Sequence, residues 1–295
     1  MTPRSKSEVI PMAGSGRLGC STISFRARPL PDALAAIAGL GLPEADLGML
    51  PGVCEHAPLR PGPDDVRRLT DLAAEHGIRW RSLNTDPADI NSPRLHPRVW
   101  RESIELLARA TAGVGARFLA VPNGRQRHQP LGPSLEADLA TVVARLHEAG
   151  EIAAEHGVRL LVEAPHVYRL CRDTDRSDLL LDRLDPERCG LIYDVSHVVA
   201  SGGDAVGWAR TVADRVDHVH LRDARPGDIN LSVGNGEVDF EALIDALESA
   251  GYQGHYTLEL ETHDVAETDR EAVAVRSAAR IEAALGRARP AEPAS

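Results

Sequence analysis

The stretch VDHVHLRDA, residues 216–224, carries two histidines, an arginine and two aspartates on what is otherwise the pattern of a buried β-strand. Side chains alternate between the two faces of a strand, so Val219 and Leu221 face one side while His218, His220 and Arg222 face the other. An apolar outer face that packs on helices and a polar inner face are expected together in a barrel whose interior is functional.

Seven other strand-like runs lie along the chain, and helical segments separate them. The eight strands that we predict are LGCSTISF, ADLGML, IRWRSLN, ARFLAVP, RLLVEAP, GLIYDVS, VDHVHLRD and YTLELET. The segments between them, such as PDDVRRLTDLAAEHG, have apolar residues at three- and four-residue spacing and end near glycine, which is typical of helices. Eight βα units predict a single-domain (β/α)8 TIM barrel. An open doubly wound sheet is the alternative, but RARPLPD after the first strand contains no GxGxxG motif.

We assign residues 17–286 to the barrel and expect residues 1–16 and 287–295 to be flexible end segments. The first segment lacks the apolar run of a signal peptide, and no later run is long and apolar enough to span a bilayer. The four cysteines are far apart and form no CxxC pair, which argues against a disulfide framework or a thiolate zinc site. We therefore expect a cytoplasmic protein without membrane contact.

The composition favours small-molecule chemistry. The 295-residue chain has a formal net charge of −11 and no basic stripe, which argues against a nucleic-acid partner. Aromatic residues make up only 3% of the chain, too few to predict a wall of rings against which a hexose would pack. Hydroxyl groups of a substrate would instead be recognised by polar side chains.

Acidic or imidazole side chains occupy inward positions near the ends of four consecutive predicted strands. Alternation turns Glu163, Asp194, His220 and Glu259 inward, and Glu261 follows in the same phase. One such residue alone is well explained as a helix cap, an arginine partner or a core histidine. Buried carboxylates must be paired or bind a cation, and the carboxyl ends of barrel strands meet at one mouth. The joint pattern therefore predicts a divalent metal site.

The motifs EAPH, YDVSH, HVHLRDA and GNGEVDFEALIDALESAGYQG, the last followed by YTLELE, resemble the xylose isomerase-like barrels. That family includes sugar and sugar-phosphate isomerases, ketose 3-epimerases, inosose dehydratases and hydroxypyruvate isomerases. The resemblance covers nearly the whole chain and is most specific in the second half. It implies one divalent metal ion held by four residues: Glu163, Asp194, His220 and Glu259.

The resemblance also implies substrate contacts from His197 and Arg225, and His166 is a further candidate for hydroxyl recognition. Asp223 is a candidate to orient the metal-binding histidine or the adjacent arginine from behind. One position departs from the family pattern, because Asp46 stands where these barrels often carry a glutamate.

Three carboxylates and one imidazole suit Mn²⁺, Mg²⁺, Co²⁺ or Fe²⁺, and Zn²⁺ is also compatible. With Glu163 and Glu259 as the proton-transferring groups, we predict a metal-dependent isomerase or epimerase. It would act on a sugar or related polyhydroxy carbonyl compound through α-proton abstraction and a metal-stabilised enediolate. The alternative is a lyase that starts with the same abstraction and then expels a β-substituent, as inosose and dehydroshikimate dehydratases do, including on 3-keto sugars.

Two further functional classes remain open. A nuclease of the endonuclease IV type needs a trinuclear zinc site with additional histidines, but the loop RPGDINLSVGNGEV contains none. The second class is a non-catalytic barrel that keeps only the architecture. Apolar helix faces such as ATVVARLHEAGEIAA leave room for a subunit interface, so we expect a homo-oligomer, either a dimer or a tetramer.

Overall fold

A computed structural model of the protein describes residues 14–288, in which eight parallel strands curl into a barrel with helices outside. The barrel strands are β1 (Leu18–Cys20), β2 (Glu44–Leu50), β3 (Arg79–Thr85), β4 (Phe118–Pro122), β5 (Arg159–Glu163), β6 (Gly190–Asp194), β7 (Val216–Leu221) and β8 (His255–Leu258). Hydrogen-bonded neighbours follow the order β1, β8, β7, β6, β5, β4, β3, β2. β1 and β2 meet at the remaining side, where a Cβ on Gly19 would lie 2.9 Å from the carbonyl oxygen of Glu44. The predicted (β/α)8 fold is confirmed.

Helices follow the barrel strands in turn. They are α1 (Leu30–Gly39), α2 (Pro63–Glu75), α3 (Pro97–Gly113), α4 (Leu135–Glu155), α5 (Thr174–Leu181), α6 (Val195–Ala200), α7 (Ala205–Val212), α8 (Phe240–Ser249) and α9 (Arg270–Ala288). Two helices end at the glycines that the sequence predicts as stop signals. Gly77 after α2 and Gly157 after α4 have φ of 67° and 70°, a region that glycine enters without steric cost. No helix within residues 14–288 is long and apolar enough to cross a membrane.

Two additions interrupt the repeat. The two-residue strand Cys54–Glu55 pairs antiparallel with the end of β2. After β7, a small hairpin joins the strands Asp223–Arg225 and Asp228–Leu231. Both additions lie past the carboxyl ends of their barrel strands and so help to shape the mouth of the barrel.

Apolar side chains form two separate cores. The large core lies between strands and helices and includes Leu160 and Val162 of β5. The small core lies inside the barrel and consists of Phe118, Ala120, Leu161 and Ile192. Adjacent residues of β5 thus belong to different cores, as strand alternation requires. Polar residues in phase with the inner set therefore face the barrel axis.

The first strand is shorter than LGCSTISF predicts. Strand β1 ends at Cys20, and a 3-10 turn spans Thr22–Phe25. Ser21 Oγ accepts a hydrogen bond from the Ile23 N–H at 3.4 Å, so a hydroxyl side chain competes with strand pairing at this point. The end segments predicted to be flexible fall mostly outside the described residues. All four cysteines are buried and free.

Candidate metal and substrate site

A cavity of about 320 Å³ opens at the carboxyl ends of the barrel strands. Glu163 at the end of β5 and Glu259 just after β8 contribute to its wall. His166, His197 and Arg222, which follow β5, β6 and β7, line it as well. Active sites of TIM barrels lie at this end of the strands. The cavity is therefore the candidate functional site.

The four predicted metal ligands converge beneath this cavity. One ligand atom from each of them lies within 4.8 Å of all the others: Glu163, Asp194, His220 and Glu259. The strand register explains the convergence, because Asp194 of β6 is paired with His220 of β7. Glu259 joins them because its N–H donates to the carbonyl oxygen of Leu221 at 3.1 Å. Three carboxylates and one imidazole within this distance form a donor set suited to a divalent cation.

His220 is held in an orientation suited to metal binding. Its Nε2 lies 3.2 Å from Asp46 Oδ2, whereas its buried Nδ1 has no hydrogen-bond partner within residues 14–288 and lies 3.5 Å from Glu259 Oε2. A histidine ligand typically donates its second ring N–H to a carboxylate, which fixes the tautomer and the ring. The residues present therefore fit a divalent metal ion.

The sequence singled out Asp46 only as a departure from the family pattern and did not reveal its role at the site. Asp46 lies on β2 with its side chain fully buried, and the same Oδ2 contacts His218 Nε2 at 2.7 Å. Asp46 thus bridges two histidines of β7. On the barrel wall, Asp46 of β2 is paired with Ser82 of β3. Its side-chain partners, His218 and His220, lie more than 170 residues away in the chain.

The site carries an excess of negative charge. Burial raises the pKa of Asp194, but His197 and Arg222 lower it by a larger amount, so the pKa falls to about 2. Burial likewise raises the pKa of Asp46, and its two histidine neighbours hold it far below its usual value. Burial lowers the pKa of His220, whereas Glu259 and Asp46 raise it well above the ordinary range. Both aspartates are therefore ionised at neutral pH, and the field favours a cation.

The two predicted substrate-binding histidines form a pair at the cavity wall. Their rings stack with centroids 4.0 Å apart. Nδ1 of His197 accepts from the Val167 N–H, so its Nε2 carries the proton and lies 3.3 Å from Glu163 Oε1. Burial, followed by repulsion from His197, holds the pKa of His166 well below its usual value. His166 is therefore a neutral hydrogen-bonding group.

Arg225 is not brought to the cavity. It lies on the hairpin after β7, is exposed, and pairs with Asp228 at 3.4 Å. The arginine that lines the cavity is Arg222, which is 1% exposed and whose Nη2 lies 3.4 Å from Asp194 Oδ2. The chain turns away into the hairpin directly after β7, so the position three residues earlier faces the cavity instead.

The sequence suggested that Asp223 orients His220 or Arg222, but the structure gives Asp223 other partners. Its carboxylate accepts hydrogen bonds from the backbone N–H groups of Gly234 and Val238, at 2.7 and 3.1 Å. Asp223 therefore holds the loop after β7 in place. The sequence suggested Asp223 as the carboxylate that orients His220, but the carboxylate in contact with His220 Nε2 is that of Asp46.

Fold and site together define a TIM barrel with a polar functional centre at its carboxyl-terminal mouth. The family model of the xylose isomerase-like TIM barrel matches residues 34–284. The chain belongs to this family.

Its relatives include the inosose dehydratase of Geobacillus thermodenitrificans (strain NG80-2). The two sequences are 28% identical over 151 residues, and the match covers 45% of this chain and 50% of that protein. The chain thus spans about half the length of the curated relatives it matches. A solved L-ribulose 3-epimerase superposes with a TM-score of 0.75 at 20% identity, covering 92% of this chain and 95% of that one. The IolI protein with a bound zinc atom gives 0.73 at 16% identity, covering 90% and 98%. The structural likenesses show the fold.

Proposed function

We propose that the protein is a divalent-metal-dependent isomerase or epimerase that removes a proton next to the carbonyl group of a polyhydroxy compound. One observation carries the proposal. Glu163, Asp194, His220 and Glu259 converge at the floor of a polar cavity, with the Nδ1 of His220 buried and without a hydrogen-bond partner in the described part of the chain. A cation beside paired carboxylates can polarise a carbonyl group while a carboxylate accepts the neighbouring proton.

A divalent ion held by these residues would polarise the substrate carbonyl and favour loss of the neighbouring proton. The donor set suits Mn²⁺, Mg²⁺, Co²⁺ or Fe²⁺, and Zn²⁺ is compatible. The zinc atom named for the IolI structure supports a metal in barrels of this shape.

Glu163 and Glu259 are the proposed proton-transferring groups. Glu163 ends β5 and Glu259 follows β8, so the two carboxylates reach the cavity from different sides of the barrel mouth. One carboxylate takes the α-proton, and the other returns a proton to carbon on the opposite face. His197 presents its Nε2–H to the same region and is suited to hold a substrate hydroxyl or oxyanion.

A lyase is the second candidate. It would begin with the same proton abstraction and then expel a β-hydroxyl group as water. The inosose dehydratases among the curated relatives support this alternative. The two activities share the first chemical step and differ only in the product.

We further propose a cytoplasmic homo-oligomer, a dimer or tetramer, with a small-molecule substrate and no nucleic-acid partner. Light scattering would give a multiple of the 31.7 kDa chain mass. A single-chain mass at micromolar concentration would contradict the oligomer.

Proton exchange tests the reaction class. Metal-loaded protein is incubated in D₂O with ketoses, inososes and 3-keto sugars, and carbon-bound deuterium is followed by NMR and mass spectrometry. An isomerase or epimerase returns deuterium to carbon in a product of unchanged formula, whereas a lyase gives an unsaturated carbonyl compound and water. Absence of exchange with every carbonyl compound, in protein shown to hold its metal, would refute the proposal.

A further inference from the structure

Within residues 14–288, both arginines that line the cavity are paired with a carboxylate. Arg169 Nη2 lies 2.6 Å from Asp86 Oδ2. Arg222 contacts Asp194 through Nη2 and Glu261 through Nη1, at 3.4 and 3.3 Å. Arg26 pairs with the other oxygen of Glu261. The guanidinium groups of Arg169, Arg222 and Arg26 are thus paired with carboxylates of the protein, and none of the three offers an unpaired cation to a ligand.

The remaining charges balance only when a divalent cation is present. The three arginines named above face five carboxylates at the cavity and its floor: Asp86, Glu163, Asp194, Glu259 and Glu261. A divalent ion brings this set to neutrality. Asp46 lies one layer deeper and adds another negative charge unless a proton on His218 or His220 offsets it. Among the residues that the structure describes, an anionic substrate would therefore meet no arginine without a carboxylate partner.

The backbone position at which TIM barrels often bind phosphate is also occupied. Phosphate groups in this fold commonly bind the loops after strands seven and eight. Here the N–H groups of Gly234 and Val238, in the loop after β7, donate to Asp223. The Ser232 N–H in the same loop donates to Asp264 at 3.0 Å. The protein's own carboxylates thus accept the hydrogen bonds that these three N–H groups could give to a phosphate.

Neutral polar groups make up much of the remaining wall of the cavity. They are Asn84, Thr85, Gln126, His166 and Asn230. Amide, hydroxyl and imidazole groups can donate to or accept from hydroxyl groups without a charge. The cavity, at about 320 Å³, lies at the small end of the range for ligand sites.

On the basis of the reaction class proposed above, we infer that the substrate is an uncharged polyhydroxy carbonyl compound, and that phosphate esters and sugar acids are rejected. The rejection comes from like charge: a phosphate dianion would face carboxylates whose charge the arginines and the divalent ion already balance. Like-charge contacts of this kind weaken binding.

Matched pairs of ligands test the inference. Isothermal titration calorimetry on the metal-loaded protein compares D-fructose with D-fructose 6-phosphate, and myo-inositol with myo-inositol 1-phosphate. We expect the neutral member of each pair to bind about tenfold more tightly or better. Equal or tighter binding of the phosphorylated members, or no binding of any neutral member, overturns the inference.

Charge variants test the cause. Asp86→Asn leaves Arg169 with an unmatched charge. Glu261→Gln does the same for Arg26, while Arg222 keeps its contact with Asp194. Each should narrow the preference for the neutral ligand about tenfold, because one cation becomes available to the phosphate. Asp228→Asn is the matched control, since Asp228 pairs with exposed Arg225 outside the cavity. If both variants fold, hold metal and keep the wild-type preference, charge matching is not the cause and the inference fails.

The D₂O experiment separates this inference from the proposed function. Proton exchange with phosphorylated ketoses alone would leave the reaction class standing and overturn the assignment of an uncharged substrate. Binding of neutral polyols without exchange on any ketone would refute the reaction class and leave the charge assignment supported.

Discussion

The two ends of the barrel place histidines beside carboxylates in the same way, yet they balance charge differently. At the amino-terminal end, Glu44 contacts His255 Nδ1 at 2.6 Å and Arg79 at 3.1 Å, and Arg81 lies 3.7 Å away. Basic groups outnumber the acid there. At the carboxyl-terminal mouth, carboxylates outnumber guanidiniums around the four convergent ligands.

This difference distinguishes a structural ion pair from a binding site. A carboxylate surrounded by its own cations is satisfied and contributes to stability. Carboxylates that converge without enough cations are costly unless a cation joins them. In TIM barrels the amino-terminal end serves stability and the carboxyl-terminal end serves catalysis, and the charge balance here follows the same division.

Loss of a metal ligand should have the largest effect. Glu163→Gln and His220→Ala should each weaken metal binding by more than about 100-fold, since even groups behind the ligands cost about 10–100-fold. Metal analysis after purification without chelator, together with titration calorimetry, measures this. Glu44→Gln at the opposite end is the control and should retain the metal. Full occupancy in both mouth variants would contradict the site.

Loss of the carboxylate behind His220 should have the next largest effect. Asp46→Asn removes the charge that fixes the Nε2–H tautomer, so metal affinity should fall about 10–100-fold while the ligands stay in place. Asp217→Asn makes the same change in a residue that pairs with Arg159 at 2.8 Å near the other end of the barrel. Equal metal affinity in the two variants would show that Asp46 serves packing alone.

Glu44→Gln should affect stability rather than metal binding. The loss of a charged hydrogen-bond partner predicts a fall in unfolding free energy of about 1–3 kcal/mol at neutral pH. Burial raises the pKa of Glu44, but His255 and Arg81 lower it by more, so the net pKa lies below its usual value. The stabilisation is therefore present above the pKa of the unfolded chain and is lost as pH falls through the folded value.

Denaturant unfolding of wild type and Glu44→Gln at about pH 7 and about pH 3 measures that difference. The gap between the two proteins should shrink at the lower pH. A gap that stays constant would show that the carboxylate's charge is not what stabilises this end.

Arg225→Ala should have the smallest effect. The side chain is exposed and lies outside the cavity, so stability should change by less than about 0.5 kcal/mol and turnover should stay close to wild type. A large loss of turnover in a folded, metal-loaded variant would return Arg225 to the substrate-binding set.

Strand alternation predicted the inward residues well, because it depends only on local geometry. It turned His218 and His220 to the inner face of β7, and both are buried and contact Asp46 there. It could not reveal the role of Asp46, whose partners come from the far side of the sequence. The contact between Asp46 and His218 spans 172 positions of the chain, and no sequence spacing reports it.

Loop residues were harder to predict for a different reason. Gly227, with φ of 82°, lies in the turn of the hairpin after β7, and this turn carries Arg225 away from the cavity. The motif suggested that Asp223 supports the site, but its carboxylate accepts hydrogen bonds from backbone amides of its own loop. Short-range hydrogen bonding therefore decided its role.

The separation of the two apolar cores has a consequence for laboratory evolution. The inner core has four residues, whereas the large outer core locks strands to helices. Residues that line the cavity mouth, such as His166 and Gln126, belong to neither. A mutant library confined to such positions would explore new substrates while it leaves the folding determinants untouched, so a high proportion of its members should remain foldable.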